Sequence, residues 1–218
     1  MGLSPPSAEH PVNPTAFRIA LRQKMLAARV DLALRQAPLH ATLSARIDGH
    51  LSHWLMPRTP ASIGFCIPVQ GEFDPRALVT RLLGHGWTAA VPVVHHINSP
   101  MLFHPWTPET PMATDRHGIP IPANPPGPAP QIVLLPLVAF DAAGYRLGYG
   151  GGYFDRTLAA SVPSPLTIGI GFELTRVASI FPQAHDQRLD FVVTEAGAYA
   201  CKAPVMLDGT GSADDHAG

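Results

Sequence analysis

Cysteine and charge are both scarce in this 218-residue chain, and each scarcity argues against a class of protein. The two cysteines, Cys66 and Cys201, lie far apart and outside any C-x-x-C spacing, so neither a zinc site nor a disulfide framework is indicated. Charged residues make up 14% of the chain, the net charge is −1, and the lysines and arginines are scattered. This balance gives no electrostatic footprint for nucleic acid or for an anionic membrane surface.

Long apolar runs are missing as well. No run approaches the ~18 residues that a membrane helix needs, and the first segment, MGLSPPSAEHPVNP, lacks the basic and apolar regions of a secretion signal. We therefore expect a cytoplasmic protein. Hydrophobic residues make up 46% of the chain, enough for one sizeable core. We predict a single α/β domain over residues 15–204, with disordered tails at 1–14 and 205–218 that are rich in Pro, Gly, Ser and Asp.

Short apolar runs alternate with helical patterns along this domain. Runs separated by helices predict a mostly parallel sheet that is covered on both faces. We predict strands at SIGFCIP, TAAVPVVHH, PMLFHPW, IVLLPLVAF, LTIGIGF and LDFVVTE, which begin at residues 62, 88, 100, 132, 166 and 189, with helices between the later strands.

Helix signals and a long connector complete the pattern. One helix is predicted after the cap Thr15, a second from about Leu39 to Leu55, and a third after Asp74 and Pro75, which suit an N-cap and a first helical position. The segment 107–130 is too rich in proline for a helix or a central strand. We expect it to fold over a site as a lid.

The most informative segment is a glycine-rich turn between a strand and a helix. Residues 148–152 read GYGGG, so four of five positions are glycine, with Arg146 before the turn and Asp155 after it. Glycine lets successive N–H groups converge on an anion, and the following helix directs its positive dipole end to the same place. Arginine can neutralise phosphate oxygens, and a carboxylate beside a phosphate indicates a cation such as Mg²⁺ between them. The alternative is a plain turn with Asp155 as an exposed first-turn acid.

Known phosphate and nucleophile motifs do not explain this turn. A Walker A loop needs Lys and Ser/Thr where the chain has Tyr153 and Phe154, and the third glycine of a dinucleotide fingerprint would fall on Tyr153. No G-x-S-x-G elbow is present. His95 and His96 are adjacent on a predicted strand and would point to opposite faces, so we do not expect them to share a metal with His104.

Charged residues elsewhere leave two interpretations open. Arg18, Arg22 and Arg29 share one face of the first helix, and no acid lies four residues from Arg18 or Arg22. This stripe either reaches a ligand or forms a solvated face. Glu72 is an exposed loop acid or, because it follows a buried strand, a group at the ligand-binding edge of the sheet. His185 and Asp186 would ordinarily form a capped turn.

The glycine turn resembles the signature of the 5-formyltetrahydrofolate cyclo-ligase family, approximately vP-x-x-aFD-x-x-G-x-RLG-x-GgGyYD-x-x-L. The matching positions are Pro136, Ala139, Phe140, Asp141, Gly144, Arg146, Leu147, Gly148, Gly150, Gly152, Tyr153, Asp155 and Leu158. Three further pieces follow the family order: Arg18 with Arg22, Glu72 with Asp74, and His185 with Asp186. The resemblance covers roughly residues 16–195.

The resemblance implies a fold and a reaction. The fold would be a single three-layer α/β/α domain with a mostly parallel sheet, similar to the NagB/RpiA/CoA-transferase-like fold. The reaction would be the ATP- and Mg²⁺-dependent closure of 5-formyltetrahydrofolate to 5,10-methenyltetrahydrofolate, with release of ADP and phosphate. The substrate would be a reduced folate with or without a polyglutamate tail, and we expect a monomer.

The resemblance also implies roles for single residues. Arg146 and Glu72 would be catalytic, and Asp155 and Asp186 would hold the metal. The nucleotide would contact Arg18, Arg22, Arg146, Leu147, Gly148, Tyr149, Gly150, Gly151, Gly152, Tyr153 and Phe154. The folate would contact Ile67, Glu72, Tyr149, Gly150, Gly151, Gly152 and Tyr153.

Several positions depart from the family pattern and motivate alternatives. An aromatic residue and a polar Glu or Gln are usual where this chain has His117 and Ile121, and the usual Asp and Gln appear as Gln131 and Thr175. These changes favour retained ATP handling over retained folate specificity. The alternatives are a paralogue that uses ATP on another small substrate and a non-catalytic folate-binding protein.

Overall fold

A seven-stranded sheet forms the centre of the molecule in a computed structural model, which describes residues 11–114 and 118–201. The strand order is β12-β11-β9-β6-β1-β2-β3, and every neighbouring pair from β11 to β2 is parallel. The edge strands β3 and β12 run antiparallel to their neighbours. The bounds are β1 Ser62–Gly64, β2 Thr88–Val93, β3 Leu102–Pro105, β6 Ile132–Pro136, β9 Leu166–Ile170, β11 Phe191–Thr194 and β12 Gly197–Ala200.

Two smaller sheets lie outside the central one. One joins β7 Ala139–Asp141, β8 Arg146–Leu147 and β10 Arg176–Val177 in the order β10-β7-β8. The other is a hairpin of β4 Met112–Thr114 and β5 Pro120–Pro122, within the Pro-rich connector. The connector thus adds no strand to the central sheet.

The helices cover both faces of the sheet. Their bounds are α1 Pro14–Arg35, α2 Ala37–Leu55, α3 Arg76–Leu83 and α4 Tyr153–Ala160. Strand β6 shows why its sequence is continuously apolar: Ile132 and Leu134 pack in one core cluster with α2 and α3, whereas Val133 and Leu135 pack with Leu158 of α4. The predicted α/β class with a mostly parallel sheet and helices on both faces is therefore confirmed. Across the described part of the chain, no helix is both long enough and apolar enough to cross a bilayer.

The first helix begins slightly earlier than predicted. Its N-cap is Asn13, whose side-chain oxygen accepts a hydrogen bond from the Ala16 N–H at 3.0 Å, and Pro14 occupies the first helical position. The prediction of Thr15 as the cap was wrong, because Asn13 followed by proline is the stronger start signal. The third helix starts after Pro75, and Asp74 still accepts from the Arg76 N–H at 3.0 Å.

Two predicted elements differ from the structure. The run IVLLPLVAF is not one strand, since it leaves the central sheet after Pro136 and continues as β7 in the small sheet. Between β9 and β11 the described chain forms a 3₁₀ turn, Glu173–Thr175, and the short strand β10, but no α-helix. The extra strand β7 pairs with β8, so Arg146 and the glycine turn that follows it lie beyond the carboxyl end of β6.

Candidate active site

A cavity of about 890 Å³ opens at the carboxyl ends of the central strands. Residues at the ends of β1, β2 and β6 or just after them line it, which is where open α/β sheets bind ligands. Its size suits one or two small molecules. The lining includes Arg18, Arg22, Cys66, Ile67, Glu72, Val93, Met101, Pro120, Ile121, Pro136, Arg146, residues 148–155, Gln183, His185 and Asp186.

The glycine turn, residues 148–152, forms one wall of this cavity. Gly150 has φ +101° and Gly152 has φ +65°, conformations that other residues rarely adopt. Gly152 is the N-cap of α4 and supplies no side chain, so the first N–H groups of the helix are left for another acceptor. A helix start of this kind favours an anion.

Arg146 and Asp155 flank the turn and bind each other. Arg146 is 6% exposed, donates from Nη2 to Asp155 Oδ1 at 3.1 Å, and donates from Nη1 to the Gln187 carbonyl at 2.8 Å. The Gln187 N–H also donates to Asp155 Oδ1, at 2.9 Å. Burial lowers the pKa of Arg146, and the adjacent Asp155 charge opposes that shift. The pair fixes a positive group beside the glycine turn.

Two arginines of α1 reach the same region. Arg18 forms a two-pronged pair with Asp186, with distances of 2.6 and 3.0 Å. Arg22 donates from Nε to the Gly148 carbonyl at 2.7 Å. Its pKa is lowered by burial and by the charge of Arg18, so these two cations repel each other across the cavity wall. An anion bound between them would relieve that repulsion.

The two predicted metal ligands differ in their free oxygens. Asp155 Oδ1 accepts two hydrogen bonds, whereas Oδ2 accepts none from the described residues, and the side chain is 19% exposed. Asp186 uses both oxygens for Arg18, accepts a third bond from the Gln183 N–H at 2.6 Å, and is 4% exposed. Residues 11–114 and 118–201 contain no cluster of three or more metal-binding side chains. Asp155 therefore suits one position of an ion that also binds phosphate oxygens.

A third carboxylate of the cavity, Glu72, bonds the glycine turn through Tyr149. Glu72 follows β1, is 8% exposed, and accepts hydrogen bonds from Tyr149 at 2.6 Å and from the Val69 N–H at 2.9 Å. Burial raises its pKa, while those bonds and the charge of Arg29 lower it. Arg29 is itself 1% exposed and contacts both Glu72 and Tyr149. Its place on the face shared with Arg18 and Arg22 was the sequence signal for a role at this site.

Apolar side chains also line the cavity. Val93 does so at the end of β2, Met101 just before β3, and Ile121 on β5 of the connector. This part of the predicted lid thus reaches the cavity, whereas His117 lies outside the described residues. Leu147 does not line the cavity: its side chain is fully buried in a core cluster with Met25 and Val138.

His185 lines this cavity, whereas His95, His96 and His104 do not. Strand β2 ends at Val93, so the alternation argument for His95 and His96 does not apply to them. His95 Nε2 instead lies 2.8 Å from His104 Nε2, and His104 Nδ1 is 2.5 Å from the Asn124 carbonyl. These contacts tie the connector to β3, which is a structural role.

Comparison with known proteins places this geometry in one family. The model of the 5-formyltetrahydrofolate cyclo-ligase family matches residues 14–195. A 5-formyltetrahydrofolate cyclo-ligase of Haemophilus influenzae is 32% identical over 146 residues, which is 64% of this chain and 78% of that protein. The protein of the same name from Mycolicibacterium smegmatis is 30% identical over 137 residues, 59% of this chain and 70% of that protein.

Solved structures share the fold. A 5,10-methenyltetrahydrofolate synthetase of Aquifex aeolicus superposes with a TM-score of 0.74 at 23% identity, covering 91% of this chain and all of that one. The synthetase of Mycoplasma pneumoniae gives a TM-score of 0.63 at 23% identity, covering 82% of this chain and 98% of that one.

Proposed function

The chain belongs to the 5-formyltetrahydrofolate cyclo-ligase family, and we propose that it closes 5-formyltetrahydrofolate to 5,10-methenyltetrahydrofolate at the expense of ATP. One observation carries the proposal: the glycine turn and the buried Glu72 line the same cavity of about 890 Å³. A phosphate-binding element and a carboxylate at the edge of the sheet are thus in reach of one pair of substrates.

The reaction needs activation of the formyl oxygen. The N5 lone pair is delocalised into the formyl carbonyl, so the carbon is a poor electrophile and the oxygen a poor leaving group. The formyl oxygen accepts the γ-phosphoryl group of ATP as ADP leaves. N10 then attacks the activated carbon and loses its proton, and the carbon–oxygen bond breaks to release phosphate. Such a reaction depends on positioning and charge neutralisation.

The positive groups of the glycine-turn side would meet the nucleotide. Arg22 and Arg146 would neutralise phosphate oxygens, Arg18 would add charge from its pair with Asp186, and the N–H groups of residues 150–154 would donate to the same oxygens. The turn allows this because Gly150 and Gly152 take positive φ and carry no side chain over the cavity. Leu147 would contribute by holding β8 in the small sheet.

Asp155 would hold Mg²⁺ through its Oδ2 atom. Bound there, the ion would supply charge neutralisation between the phosphates. Asp186 was predicted as a second ligand; we propose that its first task is to orient Arg18, since its oxygens accept hydrogen bonds from Arg18 and from the Gln183 N–H.

The folate would bind beside Glu72, which would be its polar contact. A carboxylate suits the donor-rich edge of a pterin ring or the N10 proton. Ile67 and residues 149–153 would complete the surface around the reacting carbon, since they line the same cavity as Glu72.

Absorbance of the methenyl-folate product tests the proposal. Purified protein is mixed with 5-formyltetrahydrofolate, Mg²⁺ and ATP, with a second sample that lacks ATP. We expect an ATP-dependent rise that Asp155→Ala removes and that Asp31→Ala, a change to a partly exposed acid of α1 outside the cavity lining, retains. No rise in a sample that binds ATP would overturn the folate assignment.

Ile121 motivates an alternative substrate. It places an apolar side chain in the cavity where the family usually has Glu or Gln. A paralogue that acts on another small molecule would bind ATP yet show no affinity for 5-formyltetrahydrofolate. A non-catalytic folate-binding protein would bind folate, and Asp155→Ala would leave its function in cells intact.

A further inference from the structure

Arg29 is the most completely enclosed charged residue of the site. It follows Arg18 and Arg22 along one face of α1, does not itself line the cavity, and is 1% exposed. Nε donates to the Gln70 carbonyl at 3.0 Å and Nη1 donates to the Leu137 carbonyl at 2.9 Å. Nη2 lies 2.5 Å from the Tyr149 hydroxyl and 3.5 Å from Glu72 Oε1. With these acceptors in place, Arg29 is poorly suited to bind a ligand.

The Tyr149 hydroxyl connects Arg29 to Glu72 in a fixed direction. A guanidinium can only donate, so the hydroxyl oxygen accepts from Arg29 and its proton points to Glu72 Oε1, 2.6 Å away. Glu72 Oε2 accepts from the Val69 N–H at 2.9 Å. Both oxygens of Glu72 are therefore oriented before any substrate binds.

Arg29 also holds the turn that carries Glu72. Gln70 has φ +49° and Gly71 has φ +74°, a pair of left-handed residues that needs support from outside the turn. Arg29 supplies it by bonding the Gln70 carbonyl, and His40 of α2 lies 3.1 Å from the Gly71 carbonyl. A side chain at Gly71 would come within 3.0 Å of the Arg29 carbonyl, so the turn packs closely on α1.

We propose that Arg29 is a positioning residue that acts through the Tyr149 hydroxyl to hold Glu72 as an oriented carboxylate. The resulting hydrogen-bond chain, Arg29–Tyr149–Glu72, joins the glycine turn to the part of the cavity that would bind the folate. Tyr149 belongs to the glycine turn, whereas Glu72 follows β1, so one hydroxyl links the two walls. The identity of the ligand at Glu72 rests on the proposed function; the hydrogen-bond chain does not.

Loss of the Arg29–Tyr149–Glu72 hydrogen-bond chain should shift the pKa of Glu72 in a definite direction. Burial raises the pKa of Glu72, whereas the Tyr149 hydrogen bond, the Arg29 charge and the Val69 N–H bond lower it. The other titratable neighbours are Cys66, whose own pKa is raised by burial and by Glu72, and His40, which bonds the adjacent Gly71. Removal of the Tyr149 hydroxyl therefore raises the pKa of Glu72 further, and protonated Glu72 becomes more populated near neutral pH.

Carbon-13 NMR of the glutamate side-chain carboxyl groups measures this directly. The chain has five glutamates, and Glu72→Gln identifies the signal of Glu72. We compare the titration midpoint of that signal in the wild-type protein, in Tyr149→Phe and in the matched control Tyr145→Phe, a tyrosine that does not line the cavity. Tyr149→Phe keeps the ring, and Tyr149 is 45% exposed and belongs to none of the core clusters of the described residues, so the change does not unpack the core.

We expect the Glu72 midpoint to move to higher pH in Tyr149→Phe and in Arg29→Lys, and to stay in place in Tyr145→Phe. An unchanged midpoint in Tyr149→Phe overturns the proposal, and this holds even where Arg29→Lys does not fold. The outcome does not depend on turnover.

The pH profile of turnover then gives a functional readout. In Tyr149→Phe, kcat/KM should fall about tenfold on the acid side, the size expected for a lost hydrogen bond to a charged group, and should recover at higher pH where Glu72 ionises. A uniform loss at every pH would indicate a purely structural role and would contradict the proposal. If the wild-type protein forms no methenyl product, the proposed function fails while the NMR midpoint still decides the role of Arg29.

Discussion

Arg22 and Arg29 lie on the same face of α1, seven residues apart, but they are held in different ways. Arg22 has one protein hydrogen bond within the described structure, to the Gly148 carbonyl. Burial lowers its pKa, and the neighbouring charge of Arg18 lowers it further. Arg29 is enclosed by four acceptors and is 1% exposed. An arginine with spare donors beside a second cation can receive an anion, whereas a saturated arginine can only position its neighbours.

Removal of Arg22 tests the proposed nucleotide-binding part of the cavity and should have the largest effect on ligand affinity. Arg22→Met takes away one charge and its free donors, so we expect the dissociation constant for a non-hydrolysable ATP analogue to rise about 10- to 100-fold, as for a lost charge-assisted bond. Folate affinity should change little. Isothermal titration calorimetry with each ligand measures both constants, and Lys24→Met, at an exposed cation of the same helix, is the control. Equal weakening of both ligands would contradict the division of the cavity.

Glu72→Gln tests the proposed folate-binding part of the cavity. The amide keeps the shape and can still accept from Tyr149, but it removes the negative charge, so we expect folate affinity to fall about tenfold. Nucleotide affinity should be retained. The same titrations measure both, with the exposed Glu109→Gln as control. Weaker nucleotide binding with intact folate binding would reverse the assignment of the two sides.

Local patterns predicted the elements of the site, and the three-dimensional chain path decided the partners. The glycine turn, Arg146 and Asp155 lie close in sequence, so their proximity could be read directly. The Arg18–Asp186 pair joins residues that are 168 positions apart, and the absence of an acid four residues from Arg18 only said that its partner was elsewhere. Arg29 was noticed on the right face, but its burial depends on the turn at Gln70, which no pattern indicates. The break after Pro136 was missed because both halves of the run are apolar.

The Arg18–Asp186 pair should make the free energy of unfolding depend on pH in the acid range. Burial alone would raise the pKa of Asp186, but hydrogen bonds from Arg18 and the Gln183 N–H hold it below its usual value. A lowered folded-state pKa means that the stabilisation is complete above the unfolded pKa of about 3.9 and is lost as the pH falls through the folded value. Asp186→Asn should therefore lower the urea midpoint at pH 6, and its difference from wild type should shrink between about pH 4 and pH 2.

A surface pair provides the control for this measurement. Asp48 and Arg81 are 2.6 Å apart, but their side chains are 29% and 43% exposed, so Asp48→Asn should change the midpoint little at any pH. A difference between wild type and Asp186→Asn that stays constant down to pH 2 would mean that the Asp186 charge does not stabilise the fold.

Ile121→Gln should give the smallest change in affinity, and we expect it to affect folate binding alone. The residue is partly exposed, lies on β5 and lines the cavity, so a polar amide there can reach a bound ligand without unpacking the core. One new neutral hydrogen bond contributes about 0.5–1.5 kcal/mol, which predicts folate binding that is a few-fold tighter and nucleotide binding that is unchanged. Met112→Gln, on the paired strand β4 and outside the cavity lining, is the matched control. If Ile121→Gln weakens folate binding while Met112→Gln does not, the cavity is shaped for an apolar group at that point, and the alternative substrate becomes the better assignment.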